Sequence, residues 1–368
     1  MTKNDLLVQI VESLERTIDR SKTQVLLLSD GKDSLSLAIA LSKKGIKCKT
    51  LTLLRNDDNE LESYIKQVCS ELGHEPYFVT VDDIAKVFDL ELLNYACSLM
   101  NKPVLDQGFI FFLFGLKNFF ANVDLLPSDC ELIDGLGNDE HLGCLPSKNQ
   151  YRAYIFSKLG LWKYVNKLPR GFNWYLRSPA EANGDLSALA CFFDFKQSYD
   201  LNNFFSKIKI VDDTSFVDFR AFSRGSFHDH DCMIQKTKIA AKALGASIVY
   251  PWTDPKLALY CFNLPIKLKY NFKENVNKLP LRKLLIDQLN WKQEKRGVDL
   301  YFDLDICNFI NNIALVYVTD EIIDRIMQNR FVSIDVKKRA LLELVNLASY
   351  SLSLGYNKAD FSSFLLGD

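Results

Sequence analysis

The pattern of apolar and polar residues in the first half of the chain alternates between two periods. Stretches with apolar residues at three- and four-residue steps indicate amphipathic helices, and short, mostly apolar runs between them indicate buried strands. The predicted helices are 3–20, 34–44 and 59–72, and the predicted strands are 25–28, 48–54, 77–81 and 131–133. Strands that are apolar on both faces and separated by helices are typical of a parallel sheet with helices on both faces.

Beyond about residue 150 the pattern is mostly helical and rich in aromatic residues. The clearest amphipathic helices there are predicted at 236–244 and 276–289. No Gly/Ser-rich or low-complexity linker marks a boundary. We therefore expect an α/β domain over residues 1–150 and a mostly helical region over residues 151–368 that packs closely against it.

Composition and charge narrow the class of protein. With 48% hydrophobic and 25% charged residues, the chain has the composition of a soluble globular protein, and it contains no uncharged apolar run of about 18 residues that would suggest a membrane span. The N-terminal segment lacks the apolar core of a secretion signal, so we expect a cytoplasmic protein. Nine cysteines without a CxxC pair indicate reduced, buried thiols, and the net charge of -1 argues against a nucleic-acid partner.

The turn after the first predicted strand, "SDGKDS" at residues 29–34, has the residue types of an anion-binding loop. The Ser29 and Ser34 hydroxyls can donate hydrogen bonds, Gly31 permits unusual backbone angles and close approach of a ligand, and Lys32 adds positive charge. A carboxylate beside a phosphate is unfavourable unless a magnesium ion lies between them, which makes Asp33 a candidate metal ligand. The alternative is a helix start capped by Ser29 or Asp30, which needs no ligand.

This turn is neither a Walker loop nor a GxGxxG loop. It resembles the PP-loop signature, usually SGGxDS, of the ATP pyrophosphatases, which cleave ATP between the α- and β-phosphates. The resemblance implies an adenine nucleotide alpha hydrolase-like fold and ATP as the ligand. Asp30 stands where the family usually has glycine, so its charge near the phosphates has to be compensated by a metal or a lysine. The implied nucleotide-binding residues of this half of the site are Ser29, Asp30, Gly31, Lys32, Asp33, Ser34 and Leu53.

A second turn, "ELIDGLGNDEHLG" at residues 131–143, repeats the order of strand, glycine turn and acidic helix start. It is similar to the GxGxDExxGG segment of the asparagine synthetase C-terminal domain. The resemblance implies that Gly135 and Gly137 contact the nucleotide and that Asp139 holds magnesium together with Asp33. Without the resemblance, Asp139 and Glu140 could equally complement the dipole of a helix.

Two later segments also resemble this family. Residues 231–265 resemble a basic helix followed by P(F/W)xDxxLxxxxxxLP, with Pro251, Trp252 and Asp254 at the matching positions. Residues 278–300, "KLPLRKLLIDQLNWKQEKRGVDL", resemble KxLLR followed by RPKxGF. Placing the glycine at Gly297 puts Lys295 at the family lysine that lies over the reacting acyl adenylate, whereas the residues alone indicate a solvated charged turn.

The family resemblance implies an ATP- and Mg²⁺-dependent enzyme that converts a substrate carboxylate into an acyl adenylate and transfers the acyl group to ammonia or an amine. The substrate acid is expected to be a small molecule or a carrier-bound group. Residue 2 is threonine rather than the nucleophilic cysteine of the family's glutaminase domain, and we expect no room for that domain, so ammonia would be free or supplied by a partner glutaminase.

A proton carrier is missing at one position, because Leu136 stands where relatives have glutamate or tyrosine. His141 is the candidate to shuttle the proton instead. The segment 222–232, which contains His228 and His230, is interpreted as a polar loop rather than a metal site, and the basic and aromatic residues 264–283 as a solvated helix face. Two other functions stay open: adenylation of a non-carboxylate substrate such as a nucleobase, and an inactive nucleotide-binding subunit of a larger assembly.

Overall fold

The structure is a computed structural model of the chain. It describes residues 5–104, 106–143, 159, 188–193, 230, 232–271, 274, 276–291 and 300–367. All structural statements below concern these residues.

Five strands form one parallel sheet in the order β3-β2-β1-β4-β5. The strands are β1 (Thr23–Leu27), β2 (Lys49–Leu54), β3 (Glu75–Thr80), β4 (Cys130–Ile133) and β5 (Ser247–Val249). Val25 of β1 lies opposite Lys49 of β2 on one side and Leu132 of β4 on the other. The prediction of an α/β protein with a parallel sheet is thus confirmed. A separate two-stranded antiparallel sheet pairs β6 (Tyr270–Asn271) with β7 (Val276–Asn277).

The order of the strands reverses at β1. From β1 the chain adds β2 and then β3 on one side, and it later adds β4 and β5 on the other side. In an open parallel sheet the loops that follow the two strands at such a reversal diverge, and the crevice between them is where ligands bind. The loops after β1 and β4 contain the two glycine turns that the sequence singles out.

Helices connect and surround the strands, and a mostly helical remainder accompanies the sheet. Among the described residues, no helix is long and apolar enough to cross a membrane. In chain order the helices are α1 (Asp5–Thr17), α2 (Lys32–Lys43), α3 (Asn59–Leu72), α4 (Val81–Lys86), α5 (Leu90–Ser98), α6 (Gly108–Asn122), α7 (Asp139–Leu142), α8 (Ile234–Ala243), α9 (Pro255–Phe262), α10 (Ile266–Lys269), α11 (Leu279–Leu289), α12 (Ile306–Phe309), α13 (Leu315–Tyr317), α14 (Asp320–Met327), α15 (Ile334–Ser353) and α16 (Lys358–Leu366).

Most predicted boundaries agree with the structure to within a few residues. Helix α3 has the predicted bounds, and Gly73 ends it with a left-handed backbone at φ 76°. The helix predicted at 276–289 begins only at Leu279, because Val276–Asn277 pairs as β7 and Lys278 has a left-handed backbone. Pro280, which is tolerated only in the first turn of a helix, marks the true start.

Two compact units make up the chain. Unit 1 comprises Met1–Phe88, Phe111–Leu145 and Asp229–Leu300, so residues from both predicted regions contribute to it. It contains the five-stranded sheet, and its core includes α1, α2 and α11 together with the fully buried Trp252.

Unit 2 comprises Asp89–Ile110, Pro146–His228 and Tyr301–Asp368, and helix α15 carries much of its described core. A buried carboxylate helps to order that core, since Glu343 of α15 accepts a hydrogen bond from Leu189 N at 3.3 Å. The Asn94 side-chain oxygen in α5 accepts from the Tyr317 hydroxyl at 3.1 Å and from the Ser349 hydroxyl at 2.8 Å.

Candidate functional site

The turn between β1 and α2 is closed by hydrogen bonds between its own residues. Ser29 N donates to Ser34 Oγ at 3.1 Å, and the two serine hydroxyl oxygens lie 3.0 Å apart. Gly31 N donates to Ser29 Oγ at 3.1 Å. The serines predicted to donate to a phosphate therefore also fix the shape of the loop, and Ser34 is buried while Ser29, Asp30 and Lys32 are half-buried.

Helix α2 begins at this turn without a side-chain cap from the described residues. Its N-cap residue is Gly31, which has no side chain to cap the helix, so neither Ser29 nor Asp30 occupies the N-cap position. Gly31 also lacks the unusual backbone angles that we expected, since its φ is -69° and its ψ is 143°. A Cβ atom at this position would lie 2.9 Å from Ser29 Oγ, so a larger residue would have to displace the serine hydroxyl.

The second turn packs directly against the start of α2. A Cβ atom on Gly135 would lie 2.9 Å from Ser34 N and 3.1 Å from the carbonyl carbon of Asp33. Gly137 has a left-handed backbone at φ 97°, which disfavours any other residue there. Both glycines predicted to contact a nucleotide thus have packing roles, and Gly135 brings the loop after β4 against the loop after β1.

Asp33 and Asp139, predicted to meet, converge on one cation, the ammonium of Lys278. Lys278 Nζ lies 2.9 Å from each carboxylate oxygen of Asp33 and 2.5 Å from Asp139 Oδ1. The amide of Asn138 joins the cluster, since its oxygen accepts from Lys278 Nζ at 2.5 Å and its nitrogen donates to Asp33 Oδ1 at 2.7 Å. Two strand ends and the start of α11 therefore supply one network of charges.

Lys278 is the most buried member of this network. Its side chain is 4% exposed, compared with 33% for Asp33 and 22% for Asp139. Burial alone favours the neutral amine, but the charges and hydrogen bonds of Asp139 and Asp33 outweigh burial and raise the pKa of Lys278 above its usual value. The ammonium is therefore charged throughout the physiological range.

The donor atoms of this cluster are of the type that Mg²⁺ prefers, namely two carboxylates and one amide oxygen. The described residues contain no group of three or more His, Cys, Asp or Glu side chains that could hold a metal by themselves. A magnesium ion here would thus need phosphate oxygens and water as further ligands, which is how Mg²⁺ usually binds with nucleotides. Asp33 and Asp139 fit such a shared ion, with Lys278 beside it.

Residues 251–254 contact the main chain of Asp33 and connect it to the N-terminal helix α1. The indole Nε1 of Trp252 donates to the main-chain oxygen of Asp33 at 3.3 Å. Asp254 caps α9 by accepting from Leu257 N at 3.0 Å, and Arg16 of α1 donates to both Asp254 oxygens at 3.1 and 2.7 Å. Hydrogen bonding to Arg16 lowers the pKa of Asp254. This segment supports the main chain of Asp33 and is not part of the charged cluster.

Two imidazole rings lie within hydrogen-bonding or ion-pair distance of one carboxylate oxygen of Glu140. Glu140 Oε1 lies 3.2 Å from His141 Nε2 and 2.9 Å from His230 Nε2. Burial lowers the pKa of His141, with Glu140 acting in the opposite direction. His141, the predicted proton carrier, lies two residues after Asp139, and its ring contacts the Glu140 carboxylate. Its main-chain oxygen accepts a hydrogen bond from Lys269 Nζ at 3.2 Å.

Asp134, at the end of β4, is a buried carboxylate that the sequence did not single out. It accepts a hydrogen bond from Leu136 N at 3.2 Å. Burial raises its pKa to about 6, although the charge of Lys236 opposes this shift. Leu136 itself is half-buried in the turn and offers no group for proton transfer.

The remaining residues named from the sequence are Leu53, Lys295 and His228 of the predicted polar loop. Leu53 of β2 points toward helix α6, where its side chain packs against Gly115. Lys295 and His228 lie outside the described residues. The sequence did not lead to Lys278 and Asn138 as site residues. Two signals for them were present, since Lys278 begins the fourth segment that resembles the family and Asn138 directly precedes Asp139.

Comparison with known proteins adds no assignment. A scan against models of protein families finds no match, and a search of curated proteins finds no significant match. The site therefore has to be interpreted from its own residues.

Proposed function

We propose that the protein is an ATP-dependent amide-forming synthetase of the asparagine synthetase-like PP-loop type, with an adenine nucleotide alpha hydrolase-like fold. It activates a substrate carboxylate as an acyl adenylate and transfers the acyl group to ammonia or an amine. The observation that carries this proposal is the convergence of Asp33 and Asp139, from the first turns of α2 and α7, on Lys278 Nζ at 2.9 and 2.5 Å.

The position of the cluster supports a phosphate ligand. The loops after β1 and β4 flank the reversal in strand order, which is where open parallel sheets bind ligands. Helix α2 starts there with no side-chain cap from the described residues, and the N-terminus of a helix favours an anion. Lys32 lies in the same turn, so the fold, the helix start and Lys32 favour a negatively charged ligand at one place.

The proposed reaction begins with attack of the substrate carboxylate oxygen on the α-phosphorus of ATP. A new O–P bond forms while the bond between the α-phosphorus and the bridging oxygen breaks, which gives an acyl adenylate and pyrophosphate. Nitrogen then attacks the acyl carbon and AMP leaves, so one amide, one AMP and one pyrophosphate form from each ATP. Charge stabilisation is the main requirement of both steps, because anions meet and an oxyanion develops.

The residues have distinct roles in this proposal. Bound Mg²⁺ would supply charge neutralisation on the phosphates, and Asp33 and Asp139 would hold it. Lys295 is assigned by resemblance to the developing negative charge on the acyl group. The proton released by the attacking nitrogen is assigned to His141, since Leu136 cannot accept it. A partner glutaminase is one source of the ammonia.

Product analysis tests this proposal. The protein is incubated with Mg²⁺, radiolabelled ATP and a panel of carboxylic acids, each with ammonium or a small amine. We expect AMP and pyrophosphate to form with the correct acid, and no turnover by Asp33→Asn or Asp139→Asn. The matched control is Lys283→Met, an exposed lysine on α11, which should keep wild-type turnover. Formation of ADP, or full activity in either aspartate variant, contradicts the proposal.

A further inference from the structure

The ammonium group of Lys278 lies between the carboxylates of Asp33 and Asp139. In some nucleotide sites with two carboxylates, two divalent ions bind between the carboxylates and the phosphates. Each ion neutralises oxygens of both the protein and the ligand. Here Lys278 Nζ already lies 2.9 Å from the Asp33 oxygens and 2.5 Å from Asp139 Oδ1. Part of the charge that a metal ion would supply to the two carboxylates is thus already supplied by an ammonium group.

The backbone around Lys278 holds that ammonium in place. Lys278 has a left-handed backbone at φ 54° and ψ 40°, which is unfavourable for a non-glycine residue and persists only where the surroundings enforce it. The Lys278 oxygen accepts the first hydrogen bond of α11, from Arg282 N at 3.0 Å, and Arg282 Nε donates to the neighbouring Asn277 oxygen at 2.8 Å. Asn277 in turn donates to the Gly143 oxygen at 2.8 Å, just after α7.

The helix that carries Lys278 is also fixed to the helix that carries Asp33. Leu281, Leu284 and Leu285 of α11 are buried in the same core cluster as the apolar residues of α2. The lysine side chain is 4% exposed. Moving the ammonium away from the cluster would leave Asp33 and Asp139 without their shared counter-charge, which is unfavourable for partly buried carboxylates.

We propose that Lys278 is a resident cation of the phosphate site and replaces one of two divalent ions, so that the protein binds a nucleoside triphosphate together with a single Mg²⁺. This inference rests on the proposed function, since it requires a triphosphate beside Asp33 and Asp139. Lys278 is a positioning residue: it keeps the two carboxylates together and neutralises part of their charge beside the phosphates.

Counting metal ions tests the inference without turnover. Mn²⁺ replaces Mg²⁺, α,β-methylene-ATP replaces ATP because its α,β link is not cleaved, and bound Mn²⁺ is counted by electron paramagnetic resonance with the wild-type protein. We expect one Mn²⁺ for each bound nucleotide. Two Mn²⁺ for each nucleotide would overturn the inference and leave the proposed function standing, whereas no binding of the nucleotide would contradict both.

Variants at Lys278 give a second, independent result. Lys278→Met should bind the nucleotide about ten-fold or more weakly at low Mn²⁺ and recover at high Mn²⁺ by taking up a second ion. Lys278→Arg, which keeps the charge, should retain the count of one, and Lys283→Met serves as the matched control. An unchanged metal count and unchanged affinity in Lys278→Met would overturn the inference. If Lys278→Met fails to fold, the wild-type count and Lys278→Arg still decide.

Discussion

Replacing Lys278 by methionine should destabilise the metal-free protein strongly. The side chain keeps most of its volume but loses the charge that Asp33 and Asp139 share. Removing one partner of a buried ion pair costs about 3–5 kcal/mol, since the remaining charges are uncompensated. Lys278 is 4% exposed, but Asp33 and Asp139 are 33% and 22% exposed and partly screened by water. We therefore expect the lower end of that range, about 3 kcal/mol.

Urea unfolding in EDTA, followed by circular dichroism and tryptophan fluorescence, measures this loss. A second variant, Lys278→Met/Asp139→Asn, removes part of the repulsion and should be more stable than Lys278→Met alone. Lys283→Met controls for the loss of a lysine from the same helix and should change stability by less than about 0.5 kcal/mol. A loss below about 1 kcal/mol in Lys278→Met would refute the reasoning, because the cluster would then not depend on its cation.

Two further predictions concern the turn after β4. Gly135→Ala should lower the free energy of unfolding in urea by about 1–3 kcal/mol, because the new Cβ atom would lie 2.9 Å from Ser34 N, a main-chain atom. A loss below about 0.5 kcal/mol would contradict this. Asp134→Asn should remove a pH dependence of stability. Burial raises the pKa of Asp134 from 3.8 in the unfolded chain to about 6 in the folded protein. The stability that protonation of Asp134 provides is therefore full below pH 3.8 and is lost as the pH rises through about 6. The stability difference between wild type and variant, measured in urea at several pH values, should change by about 3 kcal/mol over that window, and a constant difference would contradict the assignment.

The first part of the sheet could be predicted because each element carries its own signal. The strands β1 and β2 are short apolar runs, and α3 ends at a glycine with a left-handed backbone. Strand β5 was missed because it has only three residues, all half-buried, and its pairing with β4 joins residues far apart in sequence. Short strands at the edge of a sheet have too few residues for periodicity to show.

The charged cluster was predicted only in part for a related reason. Asp33 and Asp139 each follow a predicted strand, and parallel strands bring their carboxyl ends to one edge of the sheet. Lys278 lies at the start of a helix that the apolar pattern extended back to Val276. Pro280 was the signal for the correct start, but the left-handed backbone that aims Lys278 at the carboxylates depends on Arg282 and on the packing of α11.

A double-mutant cycle of nucleotide binding tests most directly the central claim that Asp33 and Asp139 form one phosphate site. Calorimetric titration with Mg²⁺ and α,β-methylene-ATP is carried out on the wild type, Asp33→Asn, Asp139→Asn and the double variant. We expect each single substitution to weaken binding by about ten-fold or more, and the double variant to be little worse than the weaker single variant, because the two carboxylates act on one ion. Wild-type affinity in both single variants, or fully additive losses, would contradict the claim.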